Sequence, residues 1–449
     1  MKKIVSLLLV LITVLSLVSC TSSLPSQEPS KTQQATAEEK KTEAVTEEKE
    51  TEEPLPTGEI VYPEGFSVGY NRQSIAPEVF PIPTYTQFDH VGYSNHDPIQ
   101  LTCTALCDGK TAFLLISIDM RGMDAGIIEY SCRLIEEAVG IPAERVMINC
   151  THTHSAVEQN QLGQGNAMKA WQQLYYKRLV RAVTLAMHDL TPTDAFIGTA
   201  HTDGVTFSRR YLMDDGTYMT NPEGKPGIPV AYETQADTEL RTVRFDRGDA
   251  KDVVLCNYQT HYHGSFSNSV SADWVHVIRE YVEKEMDVHF AYHSGASANI
   301  NFKSALGDRK YKDLESASTH IAQTVIEATK KEEKAELSSL QYETSIYDGR
   351  VSGGTKQVNF SAFTIGDIGF VAAPYEMFDT NGQEIRAASP CKMTFVCSLT
   401  NGGFGYVPAA YAYPHGTYEV EITQFLPGSG EEFAQELVRL LNACKAKEQ

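Results

Sequence analysis

The chain has 449 residues, 58 acidic against 38 basic, for a formal net charge of −20. That balance argues against a nucleic-acid partner, which requires a basic face, and leaves small-molecule ligands open. Eight of the nine cysteines are irregularly spaced inside apolar runs and read as buried small side chains, not a disulfide framework. Cys103 and Cys107 form the one close pair, with no second pair to complete a zinc knuckle.

Met1-Lys2-Lys3 is a basic head, followed by the apolar run IVSLLLVLITVLSLV and by Leu17-Val18-Ser19-Cys20. A short core between a basic start and a small-residue site reads as a signal peptide over residues 1–20. Its end resembles the lipobox of bacterial lipoproteins, which implies a lipidated Cys20 and an extracytoplasmic protein anchored to the cell membrane. Residues 21–57 are Thr, Ser, Glu, Gln, Lys and Pro with almost no large apolar side chains, and are expected to form a disordered tether. Residues 58–449 contain no second low-complexity stretch and no visible internal repeat, so one large domain, or two intimately packed lobes, is expected.

In chain order, short Val-, Ile-, Leu- and Phe-rich runs bounded by turn residues predict strands at 111–119, 145–152, 240–246, 252–261, 288–295, 368–376 and 393–400. Apolar residues at spacings of three and four predict helices at 122–140, 169–190, 274–286, 314–331 and 431–445. The alternation points to an α/β domain with helices flanking the sheets, and a hairpin turn at Ile365-Gly366-Asp367-Ile368 makes those sheets mixed.

Polar residues gather at the ends of these strands. His152 and His154 end one, His261 and His263 another and Glu376 a third, while Tyr406 follows a fourth. Ligands collect beyond the carboxyl ends of strands in open α/β sheets. On a continuing strand, His152 and His154 would project from one face. His152, His261 and Glu376 would offer two nitrogens and an oxygen, a set that suits zinc and leaves a position for water. Bound zinc lowers the pKa of its water to about 7, and His154 beside it could move the proton. Taken singly, each residue also has a plain reading: a hydrogen-bonded core histidine, a helix-capping glutamate, a packing tyrosine. Alternation alone does not say whether His261 or His263 points inward.

INCTHTHSA, then NYQTH and SADW, then APYEMF, then GYVP and TYE, resemble in that order the catalytic domain of neutral (non-lysosomal) ceramidases and their smaller bacterial relatives. The likeness runs from VGYNRQSIAPEV to the last helix. It implies zinc held by His152, His261, Glu376 and Tyr406, with His154 acting in catalysis. Tyr418 would contact the reacting carbonyl, and Arg209 in FSRRYLMDDG, or its neighbour Arg210, would line the substrate pocket. The chain departs from that family in Ser155-Ala156-Val157, where Ser-Gly-Pro is usual. It departs again in Ala298-Asn299-Ile300-Asn301-Phe302, where the ceramidase loop carries a serine; its absence favours activated water over a covalent hydroxyl route. The C-terminal immunoglobulin-like domain is not expected here.

The expected function is therefore that of a membrane-anchored zinc hydrolase cleaving an amide of an N-acylated small-molecule or lipid substrate, with sphingolipid-like compounds among the candidates. Two rival readings are a solute- or metal-binding lipoprotein, which would show two similar lobes and a hinge, and a family member that has lost activity.

Overall fold

The computed structural model describes residues 53–448 apart from 86–89, 159–164 and 263–267. The signal peptide, Cys20, most of the tether and His263 lie outside the described residues. Pro54–Gln449 group into one compact unit.

One succession of elements, three strands, a helix, a strand and a helix, occurs three times. It begins with β1 (Ser67–Ser74), β2 (Gln100–Cys107), β3 (Ala112–Ile118), α1 (Ala125–Val139), β4 (Val146–Cys150) and α2 (Gly165–His188). It recurs as β5 (Asp194–His201), β6 (Glu239–Asp246), β7 (Val253–Tyr258), α3 (Trp274–Met286), β8 (His289–Ser294) and α4 (Leu314–Lys330). The third set is β9 (Gln341–Val351), β10 (Gly354–Ile365), β11 (Ile368–Ala372), α5 (Asp379–Ala388), β12 (Met393–Cys397) and α6 (Ser429–Lys447).

The three sheets share one strand order: β4-β3-β2-β1, β8-β7-β6-β5 and β12-β11-β10-β9. In each, the first three strands are antiparallel neighbours, and the fourth pairs in parallel with the third across the intervening helix. The paired strands AFLLISI, VMINC, VVLCNY, IGFVA and MTFVC are buried along their whole length, as strands covered on both faces must be. Helix α1 ends at Gly140, whose left-handed φ of 70° lets its N–H return to the Glu136 carbonyl. The closing helices sit very near their sheets: a Cβ on Gly69 of β1 would stand 1.9 Å from the Ala186 carbonyl oxygen of α2. On Gly198 of β5 it would stand 2.2 Å from the Ala328 carbonyl oxygen of α4.

Buried asparagines join the parallel pairs of the three units. Asn149 of β4 donates to the Ser398 carbonyl and accepts from the Ser294 N–H. Asn257 of β7 donates to the carbonyls of His293 and Val396. The strand ends of all three units are thereby held together, and the loops leaving them face a common centre. Two similar lobes about a hinge are not what the described residues show.

The α/β class, the mixed sheets and the hairpin at Gly366, with φ 64°, are as the sequence predicts. Among the described residues the cysteines are all free, and all but Cys391 are buried. No described helix is long and apolar enough to cross a membrane.

Candidate functional site

The strand expected over 145–152 stops at Cys150, and strand alternation is not what pairs His152 with His154. Beyond Cys150 the backbone bonds to the end of β3 instead: the Thr151 N–H to the Ile118 carbonyl and the His152 N–H to the Met120 carbonyl, each at 2.9 Å. His152 adopts a left-handed φ of 67°, rare for a side chain with a Cβ. That turn folds the two imidazoles together, edge to face, with ring centroids 4.7 Å apart.

His261, on the loop after β7, completes a trio. His154 Nε2 lies 3.2 Å from His152 Nε2 and 3.1 Å from His261 Nε2. Glu376, in the short strand Glu376–Met377 after β11, which pairs in parallel with Tyr406–Val407, brings Oε2 to 3.5 Å from His152 Nε2. All four side chains are buried. The Nδ1 of His152 is 2.6 Å from the Arg121 carbonyl, which can only accept, so that nitrogen carries the hydrogen. In the neutral ring, Nε2 therefore presents a lone pair toward His154 and Glu376. Glu376 Oε2 has no hydrogen-bond partner among the described residues. Lone pairs and a carboxylate oxygen converging in a buried space repel one another unless a proton or cation sits among them. The three imidazoles thus form a group able to hold a metal ion, their ligand atoms all within 4.8 Å of one another.

Arg209 lies beside the trio, its Nη1 3.3 Å from His261 Nδ1. A guanidinium only donates, so this contact favours the hydrogen on His261 Nε2 and must loosen for that nitrogen to ligate. The Arg209 guanidinium carbon is 5.3 Å from the Tyr406 ring centre and 6.0 Å from that of Tyr418. Its neighbour Arg210 turns into a buried network with Glu233, Glu419 and the Gly416 carbonyl. Of the two arginines left open by the sequence, Arg209 stands at the site. Tyr406 is buried, whereas Tyr418, opening the short helix Tyr418–Ile422, is half-exposed at the edge.

Burial pushes the Glu376 carboxyl up, but the His152 ring in its protonated, positively charged form, Arg209 and a hydrogen bond from Tyr406 together hold it below its ordinary value. Burial, with the Glu376 and Tyr418 charges adding, raises the Tyr406 phenol well above its usual value despite Arg209. Glu419 is likewise pushed up by burial and brought below the usual carboxylate value by Arg209 and Arg210. Its Oε1 accepts from Arg209 Nε at 2.7 Å, fixing the direction of that side chain.

The segment 298–302 frames the site and contains no serine. The Asn299 carbonyl accepts from the Arg209 N–H, and the Phe302 N–H reaches the His261 carbonyl at 3.3 Å. Sequence reasoning missed the roles of Arg121, Asn299 and Glu419, which act on the site through their neighbours; Asn299, in the segment 298–302, and Glu419, in the TYE motif, lay in stretches the sequence singled out, whereas Arg121 carried no visible signal.

No family model matches the sequence, and no curated protein matches it. Solved structures do. A ceramidase complexed with C2 superposes at a TM-score of 0.69, over 86% of this chain and 76% of that one, with 13% identity. The neutral ceramidase from Pseudomonas aeruginosa gives a TM-score of 0.68, over 86% of this chain and 75% of its own, with 14% identity. This is the neutral-ceramidase fold. At such identity the likeness establishes architecture, and chemistry rests on the side chains just described.

Proposed function

We propose that the chain is a zinc-dependent hydrolase that cleaves the amide of an N-acylated, lipid-like substrate. The observation that carries this reading is the buried convergence of His152, His154 and His261 with a Glu376 oxygen that has no hydrogen-bond partner, within a neutral-ceramidase fold. His152, His261, Glu376 and Tyr406 would hold the ion, and nitrogen and oxygen donors together suit zinc best among common metals. Bound there, the ion would polarise a carbonyl and bring a water's pKa to about 7.

The protein's own groups divide the remaining work. The Arg121 carbonyl holds His152 in the tautomer that presents Nε2. His154 takes the proton from the attacking water and returns it to the leaving amine nitrogen. The Tyr418 hydroxyl and Arg209 donate to the carbonyl oxygen as negative charge develops there; Arg209 Nη2 has no hydrogen-bond partner among the described residues and is available for this. With no hydroxyl at 298–302, attack by water is the direct route. In this reading Cys20 is acylated and holds the enzyme at the outer face of the membrane, near lipid substrates.

The test is to strip metal with a chelator and assay a panel of fluorogenic N-acyl substrates before and after zinc is restored. Hydrolysis that vanishes and returns supports the proposal; hydrolysis unaffected by chelation overturns it.

A further inference from the structure

The segment Ser271-Ala272-Asp273, between His261 and helix α3, has no role in the chemistry above. Asp273 stands where a helix-capping residue would, but its carboxylate makes no bond to the α3 N-terminus. It turns instead toward the loop that bears His154. Its Oδ2 accepts from the Thr153 hydroxyl at 2.6 Å and from the His154 N–H at 3.2 Å. The Thr153 hydroxyl also lies 3.0 Å from the Ser271 carbonyl, and the Ser271 N–H donates to the Ser155 carbonyl at 3.0 Å. Behind the segment, Asp97 accepts from the Ser271 hydroxyl and from the Ala272 N–H. Asp273 is buried, has a left-handed φ of 54°, and leaves Oδ1 without a hydrogen-bond partner.

A buried carboxylate that leaves its helix uncapped and adopts an unfavourable backbone conformation is held there by its surroundings. What it gains is a hold on the Thr153 hydroxyl and on the His154 backbone N–H, next to the ring. The preceding repeat of the same pattern supports this: the Thr151 hydroxyl donates to buried Asp119 at 3.3 Å. In Thr151-His152-Thr153-His154 each threonine is tied to an aspartate, while the histidines face one another.

We infer that Asp273, through Thr153, is a positioning residue that aims the His154 ring for proton transfer. The inference rests on the hydrolase reading for its kinetic consequence, but its structural content can be tested apart from it. Thr153→Val, Thr153→Ser and Asp273→Asn are made in the full chain. Metal content, kcat and KM on the fluorogenic N-acyl panel are measured, with histidine ring 1H–15N spectra of metal-free protein.

Thr153→Ser should keep kcat within about twofold of wild type. Thr153→Val and Asp273→Asn should lose about tenfold or more in kcat, with KM and bound metal nearly unchanged and the His154 ring signals shifted. If Asp273→Asn fails to fold, the Val and Ser pair at position 153 still decides the matter. Unshifted His154 signals in Thr153→Val, or a kcat equal to that of Thr153→Ser, would overturn the inference. Should no substrate be turned over even by wild-type protein, the hydrolase reading fails, and the ring spectra alone decide whether the clamp exists.

Discussion

Strands β4 and β8 hold the same place in the first and second units, yet their ends do different work. Past β4 comes Thr151-His152-Thr153-His154, with a left-handed turn that drives two imidazoles into the centre. Past β8 comes Gly295-Ala296-Ser297-Ala298-Asn299, with no titratable side chain. The second loop supports: its Asn299 backbone holds Arg209, and the Asn299 Oδ1 accepts from the Asp379 N–H at 2.8 Å. The scaffold repeats, and the chemistry lives in the loop that diverged.

Substitutions on the two sides of this comparison should separate by size and kind. His152→Ala removes a proposed ligand and should abolish both metal retention and turnover, read by elemental analysis and by assay. His154→Ala should keep the metal and lower kcat by roughly 10²- to 10⁴-fold, the usual worth of a positioned acid–base group. Retained turnover in His154→Ala would erase the distinction between the two histidines.

His293, within β8, tests the scaffold side. Burial alone lowers its imidazole pKa to about 4, from an ordinary value of 6.5. The folded state therefore binds fewer protons than the unfolded one in that range. Its contribution to stability is present above pH 6.5 and is lost as pH falls through about 4. That loss is on the order of 3 kcal/mol. Denaturant melts of His293→Gln across this window should show a correspondingly shallower acid slope, while metal content stays unchanged. The smallest effect belongs to Asn299→Ala. Leaving the buried Asp379 N–H unpaired should cost about 1–3 kcal/mol, seen as a lower denaturant midpoint with metal still bound.

Much of this arrangement was legible in the residues. The parallel pairs read as strands because they are short, mostly apolar runs bounded by turn residues, and helices α1 to α4 carried clear three- and four-residue periodicity. Strand β9, QYETSIYDGRV, is largely exposed on one face and carries little apolar signal. Strand β5, DAFIGTAH, is interrupted by Gly198, needed for the close approach of α4. With such strands unseen, the threefold recurrence could not appear, since the units share burial and connectivity and not letters.

The gathering of polar residues at strand ends was visible, but the choice between Arg209 and Arg210 was not. Both guanidiniums pair with Glu419, distant in sequence, and what separates them is that Arg209 also reaches His261 while Arg210 is taken up by Glu233. Asp273 was hidden for another reason: Asp before an amphipathic helix reads as a cap, and only its side-chain direction shows otherwise.

The account stands most directly on counting metal in the purified protein and its two histidine variants after equilibration with zinc. It predicts one equivalent per chain in the wild type and in His154→Ala, and none in His152→Ala. An equal equivalent in all three, or none in any, would contradict it.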